Sequence, residues 1–405
     1  MDNSKVFRGI LSLFMAFWFA FGSFCSGAAA FTEEQRLVSQ AWRIVNRTYL
    51  DNTFNHQNWA QVRQKAFNAG LKDSQAAYKA IKNMLKTLDD PFTRFLDPIQ
   101  YRSLQVNTSG ELTGVGLQIA LNSKTGELEV VTPIAGSPAE KAGIQPRDRI
   151  IKIEGTPTKN LTLDQAASLM RGRIGSSVNL VIERDGAPVE EISIVRDRII
   201  LNPVIAKLQK NQERNIGYIR LTQFNANAPI ELAHAINSLE EKGADGYILD
   251  LRNNPGGLLQ AGIEVARLWL DSGIVVYTVN RQGVQGSFES FGPALTEDPL
   301  VVLVNQGTAS ASEILAGALQ DNHRATLLGE KTFGKGLIQS LFKLSDGSGL
   351  AVTIAKYETP NHRDINKLGI TPDEVVASQP IKFSDIGTSS DIQYQAAVEL
   401  LTKNS

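Results

Sequence analysis

Thiols are almost absent from this chain, whose 405 residues include one cysteine, Cys25, and only four histidines, His56, His234, His323 and His362. That count leaves no disulfide framework and no cysteine-based zinc site. An excess of either charge is missing too. The 41 Lys+Arg and 42 Asp+Glu leave a net charge of −1, so there is no electrostatic reason to expect a nucleic-acid or polybasic membrane partner. The composition is otherwise ordinary, 42% hydrophobic and 20% charged with 33 Gly and 15 Pro, which excludes collagen-like and low-complexity classes. A soluble globular chain of two or three domains is expected.

The apolar run Ile10 to Phe21 is shorter than the ~20 clean apolar residues of a membrane span. Lys5 and Arg8 precede it and Gly27-Ala28-Ala29-Ala30 follows it. Positive flank, short apolar stretch and small-residue site together predict a secretory signal peptide over 1–30, cleaved after Ala30. Phe24 does not suit a lipoprotein-type cysteine at the next position. Because Cys25 lies inside this segment, the exported mature chain is expected to hold no thiol, hence no cysteine nucleophile, and no integral membrane span.

The mature sequence changes pattern twice. Residues 31–107 read as a helical region, with amphipathic stretches from Phe31 to Val45, Asn58 to Ala69 and Asp73 to Leu88. Residues 108–197 read as a small β-rich module of short β-branched runs punctuated by Ser137-Pro138, Gly143 and Asp185-Gly186, with one helical insert, Thr162 to Met170. Residues 198–405 read as α/β. Apolar runs at Ile216 to Ile219, Gly246 to Leu251, Val275 to Val279, Leu300 to Val304 and Ala325 to Leu328 alternate with helical segments, which predicts a mainly parallel layered sheet with its site at the strand C-terminal ends. A last helix, Asp391 to Lys403, is expected to dock back on a domain.

Two of these strand ends carry unusual loops. One runs Arg252-Asn253-Asn254-Pro255-Gly256-Gly257 into a helix, a glycine turn whose N–H groups suit a negative oxygen. The other runs Asn305-Gln306-Gly307-Thr308-Ala309-Ser310-Ala311-Ser312-Glu313, where a serine on a sharp turn into a helix has the geometry of a nucleophile elbow. The plainer reading is a helix cap in an S-x-x-E box. A serine nucleophile needs a base, and a helix from Ala311 to Asp321 puts His323 ~18 Å away. Lys335, between Gly334 and Gly336, fares better, since a strand over Ala325 to Gly329 brings its loop back to the level of Ser310. A lysine base at neutral pH needs its pKa depressed by roughly three units, about 4 kcal/mol of differential solvation; Phe333, Leu337 and Ile338 flank it and are expected to supply the dry surroundings. The stretch Gly329 to Lys335 fits G-x-x-x-x-G-K, but Gly336 stands where a phosphate loop needs a hydroxyl, and a strand-like pattern follows where it needs a helix.

Thr308-Ala309-Ser310-Ala311-Ser312-Glu313-Ile314, Lys331-Thr332-Phe333-Gly334-Lys335-Gly336, Arg252 to Gly257 and Gly369-Ile370-Thr371-Pro372-Asp373 together resemble the C-terminal processing peptidases, Ser-Lys serine proteases with a PDZ domain. Within that family the likeness is greatest to the cyanobacterial and chloroplast enzymes that process the photosystem II reaction-centre protein. The resemblance implies Ser310 as nucleophile, Lys335 as general base, Gln339 as its orienting partner, and the N–H groups of Gly256 and Ala311 as an oxyanion hole. It also associates Asp321 with the site, although ~16 Å of helix separates that residue from Ser310 and favours a structural role with a partner such as Arg324. It makes the β-rich module a PDZ domain in which Gly114-Val115-Gly116-Leu117 holds a substrate's C-terminal carboxylate while the peptide adds beside the strand. The expected partner is a polypeptide with a free C-terminus, the exported tail of a membrane protein, in the periplasm or thylakoid lumen, and no metal or organic cofactor is implied. The competing readings are a non-catalytic periplasmic PDZ chaperone and an esterase on the same elbow.

Overall fold

The computed structural model describes residues 31–122, 125–210 and 214–403; the expected signal peptide lies outside them. Helix α1 (Glu33–Thr48) starts at Thr32, whose side chain accepts the Gln35 N–H while the Gln35 side chain accepts the Thr32 N–H. This capping box satisfies two otherwise orphaned donors. Asn58 and Asp73 cap α2 (Trp59–Phe67) and α3 (Ser74–Lys86) in the same way, one N–H each. The three helices do not form a core alone: Val38, Val45, Trp59, Ile81 and Leu85 pack in one cluster with Phe95, Leu350 and Val352. Phe95 belongs to β1 (Arg94–Leu96), after which α4 (Pro98–Ser109) runs from its Asp97 cap to Gly110 in the left-handed conformation.

The β-rich module comprises β2 (Glu111–Gly114), β3 (Leu117–Leu121), β4 (Leu128–Pro133), β5 (Arg149–Ile153), α5 (Leu163–Met170), β6 (Ser177–Glu183), β7 (Glu190–Val195) and β8 (Asp197–Ile200). Its sheet has the order β3-β4-β5-β6-β7, and β2 pairs with β8 beside it. Alternate residues Val178, Leu180 and Ile182 face a core shared with Ile150, Ile153, Ala166 and Met170, the period-2 pattern of a sheet with one wet face. Strand β3 is left at the edge, with free ladder positions along one side.

The remainder is built from β9 (Val204–Lys210), β10 (Asn215–Leu221), α6 (Ala228–Glu241), β11 (Gly246–Asp250), α7 (Leu259–Arg267), β12 (Ser272–Asn280), β13 (Gly283–Phe291), β14 (Leu300–Val304), α8 (Ala311–Asp321), β15 (Thr326–Gly329), β16 (Leu337–Lys343), β17 (Gly349–Glu358), β18 (Glu374–Val375) and α9 (Ile392–Lys403). A sheet of order β9-β10-β11-β14-β15-β18 is parallel except at β9. Every residue of β11 and β14 is buried, because helices cover both faces: α6, α7 and α8 on one, α9 on the other through Tyr394, Ala397 and Leu401. One strand departs from the expected sheet. Val275 to Val279 lies in a second, antiparallel sheet of order β1-β17-β12-β13 with β16 on β17. Only Arg281 and Gln282 separate β12 from β13, a hairpin turn far too short for a parallel crossover.

Candidate active site

The two glycine-marked loops meet. Ser310 sits between β14 and α8 at φ 57°, ψ −118°, a strained conformation for a residue with a Cβ and the geometry of a nucleophile elbow. It is also the N-cap of α8, with Glu313 accepting its N–H at 2.9 Å, so the cap and the elbow are one turn. Gly256 (φ 89°) presses against it from the loop after β11; a Cβ there would stand 2.6 Å from the Ala309 oxygen and 2.9 Å from the Ser310 Cβ. No larger residue fits without displacing the elbow.

Ser310, Gly256, Ala311, Lys335 and Gln339 line one cleft of about 690 Å³. None of the four histidines does. Lys335 arrives there as expected: β15 runs parallel to β14, with Gly329 opposite Val304, and the next loop folds back to the elbow. Strand β16 follows Gly336, not a helix, which removes the phosphate-loop reading. The lysine's surroundings differ from expectation. Phe333 is 58% exposed, whereas the Lys335 Nζ lies 5.1 Å from the ring centroid of Phe92, and Leu337 and Ile338 join it in the cleft wall. Burial first, and then the charge of Arg94, push the Lys335 amine below the ordinary lysine range against the opposite pull of Glu313 and Asp90. No carboxylate forms an ion pair with it among the described residues.

Two residues tie the serine turn to the lysine loop. Glu313, fully buried, accepts the Ser310 N–H on one side and, on the other, the Gly334 and Lys335 N–H groups at 2.8 Å and the Thr332 hydroxyl at 2.5 Å. The Tyr357 hydroxyl lies 2.6 Å from the Lys335 carbonyl and 3.0 Å from that of Ser310, sharing its proton between them. Burial raises its pKa far above the phenol range, so it stays a donor. Glu313 was legible only as a helix cap, and Tyr357 carried no sequence signal.

The other candidates divide. The Ala311 N–H, first in α8, meets no acceptor among the described residues, but the Gly256 N–H donates to Asn254 Oδ1 at 2.9 Å. Gln339 sits at a bulge in β16 and reaches the Thr353 hydroxyl at 3.4 Å. Asp321 ends α8 outside the cleft; its carboxylate accepts from the Arg363 guanidinium and the Asn361 N–H. Arg324 is not its partner, being spent on the carbonyls of Trp269, Thr296 and Asp298. Gly114, Val115, Gly116 and Leu117 form the junction that opens edge strand β3 beside α5. Gly116 (φ 81°) is needed there because a Cβ would stand 2.3 Å from that of Ser137. Behind the Gly256 loop, Arg252 is gripped by Asp250 and Asp391, each 2.6 Å from Nη2. Among the described residues no group of His, Cys, Asp and Glu side chains is arranged to hold a metal, and no helix is long and apolar enough to cross a membrane.

Comparison with known proteins agrees with this architecture. The pattern of Peptidase family S41 matches residues 215–376 and that of the PDZ domain residues 129–184. The chain is 62% identical over 377 residues, 93% of its length and 88% of the relative's, to a carboxyl-terminal-processing protease of Synechocystis sp. (strain ATCC 27184 / PCC 6803 / Kazusa). It is 47% identical to the chloroplastic carboxyl-terminal-processing peptidase 2 of Arabidopsis thaliana, over 84% of this chain and 68% of that one. Among solved structures it is similar to a photosystem II D1 C-terminal processing protease, at TM-score 0.56 and 41% identity, over 86% of this chain and 94% of that chain. A PDZ module joined to a layered α/β core whose cleft holds Ser310 and Lys335 is therefore no isolated likeness: the chain belongs to peptidase family S41 and is a serine protease of the carboxyl-terminal-processing type.

Proposed function

We propose that Ser310 attacks the scissile carbonyl of a polypeptide while the neutral amine of Lys335 takes its proton, giving an acyl-enzyme that water resolves. The observation that carries this is the joining of the serine turn and the lysine loop by Glu313 and Tyr357 in one cleft, with the amine held below its ordinary pKa by burial. The Ala311 N–H, at the positive end of α8, stabilises the oxyanion, joined by the Gly256 N–H once the Asn254 side chain releases it. Gln339 orients the amine, and Asp321 acts structurally through Arg363. Residues 31–107, 108–197 and 198–405 are the working units, and the second grips the substrate's free C-terminus at Gly114 to Leu117 while an extended peptide pairs with β3.

The substrate class that fits is the exported tail of a membrane protein, and specifically the D1 precursor of photosystem II, after which the solved relative is named. The chain works after export and cleavage at Ala30, in the periplasm or thylakoid lumen. Mass spectrometry of a peptide ending in a free apolar residue tests the chemistry. Wild type is expected to cut it and Ser310→Ala or Lys335→Ala not to; undiminished cleavage in either variant rejects the assignment. Amidation of the peptide terminus is expected to raise KM at least several-fold by removing the carboxylate charge.

A further inference from the structure

A second hollow of about 430 Å³ lies beside the catalytic cleft. Leu259, Ile338 and Ile354 line both, so the two adjoin across shared walls. The cleft reaches Leu104 and Thr108 of α4 at one end, and α4 leads through Gly110 into the PDZ module. The antiparallel sheet has β1, next to α4, at one edge and β13 at the other. The hollow takes its wall from that second edge, with Thr278 and Asn280 of β12 and Phe288 of β13. A chain that enters past α4 and crosses Ser310 therefore continues into it.

The chemistry of the hollow is specific. Phe288, Phe342, Ile338 and Ile354 make it apolar, and two guanidinium groups stand at it: Arg47 in the last turn of α1 and Arg281 in the β12–β13 turn. Arg281 donates to the Asn46 carbonyl at 3.3 Å. Neither arginine has a carboxylate partner among the described residues. Two unpaired cations beside an apolar trough suit a segment that offers a hydrophobic side chain next to an acidic one.

We propose that this hollow binds the stretch of substrate on the N-terminal side of the scissile bond, and that Arg47 and Arg281 select an acidic residue there. The inference rests on the reading that Ser310 cuts a peptide held by its C-terminus in the PDZ module. The test uses the full chain and peptides sharing one apolar C-terminus and one scissile bond, with Asp, Asn or Lys placed two to four residues before the cut. Wild type is expected to cut the Asp peptides about three- to tenfold more efficiently than the Asn peptides, and the Lys peptides less efficiently still, mainly through KM. That spread shrinks in roughly 0.5 M salt. Arg281→Glu, and separately Arg47→Glu, should flatten the order, and the double substitution should reverse it, each read relative to the Asn peptides of the same variant. Equal cutting of all three peptides by wild type overturns the proposal, as does an Asp preference that survives the double substitution. Failure to cut any peptide is a different result, and sinks the catalytic reading together with this one.

Discussion

Arg252 and Lys335 are two cations set into one protease core and treated in opposite ways. The Arg252 guanidinium lies between Asp250 and Asp391, with Gln393 taking a further N–H at 3.0 Å and the Tyr218 hydroxyl completing Asp250 at 2.7 Å. Burial works against its charge, but the hydrogen bonds it donates to the two carboxylates win and raise its pKa. Lys335 has an aromatic face and a neighbouring arginine where Arg252 has carboxylates, and its pKa falls. The supply of partners, more than burial itself, decides whether a cation at such a site stays charged. One arrangement gives a fixed strut under the Gly256 loop; the other gives an amine able to accept a proton.

The largest effect expected from breaking this contrast is at Lys335. Lys335→Met should cost about 10²- to 10⁴-fold in kcat, yet leave Tm unchanged or about 1 to 3 °C higher, because a partly desolvated polar group has been replaced by an apolar one. A calorimetric scan beside a peptide assay reads both. The strut should behave in the opposite sense. Asp391→Asn leaves a buried guanidinium with half its compensation and should destabilise the chain by about 3 to 5 kcal/mol in a urea titration. Because hydrogen bonds from Arg252 and from the Gly387 N–H outweigh burial and hold Asp391 below the ordinary carboxylate range, the wild-type contribution is complete above ~pH 4 and is lost as pH falls through the depressed pKa.

The unequal legibility of the two sites has a physical cause. Ser310, Lys335 and Gly256 stand on turns where backbone geometry needs glycine or a helix cap, and such local needs are written locally. The β-rich module likewise declares itself through alternation in each strand. Phe92 and Arg94, which set the character of Lys335, come from a helical region read as separate; the pairing of β1 with β17, Arg94 opposite Ala351, brings them to the cleft. Asp250 and Asp391 meet because α9 covers the second face of the parallel sheet, a pairing that no periodicity reveals. The misplacement of Val275 to Val279 has the same origin, since an apolar run states burial but not which sheet it joins.

Tyr357→Phe removes only the hydroxyl that bridges the Ser310 and Lys335 carbonyls. It should cost about 1 to 2 kcal/mol of stability and about tenfold in kcat, with KM little changed because no substrate group is lost; a KM effect of equal size would mark Tyr357 as a binding residue.

Arg94 sharpens the comparison most finely, because it is to Lys335 the opposite of what Asp391 is to Arg252: a like charge where the other has a counter-charge. It is exposed, so solvent screens it and its share of the depression is smaller than that of burial. Arg94→Leu removes the repulsion, so the amine holds its proton to higher pH. The rising limb of kcat/KM against pH, which follows loss of that proton, should move to higher pH. Arg94→Lys keeps the charge and should keep the limb in place. A limb that moved down in the leucine variant, or moved equally in both, would show that the side chain acts by shape and not by charge.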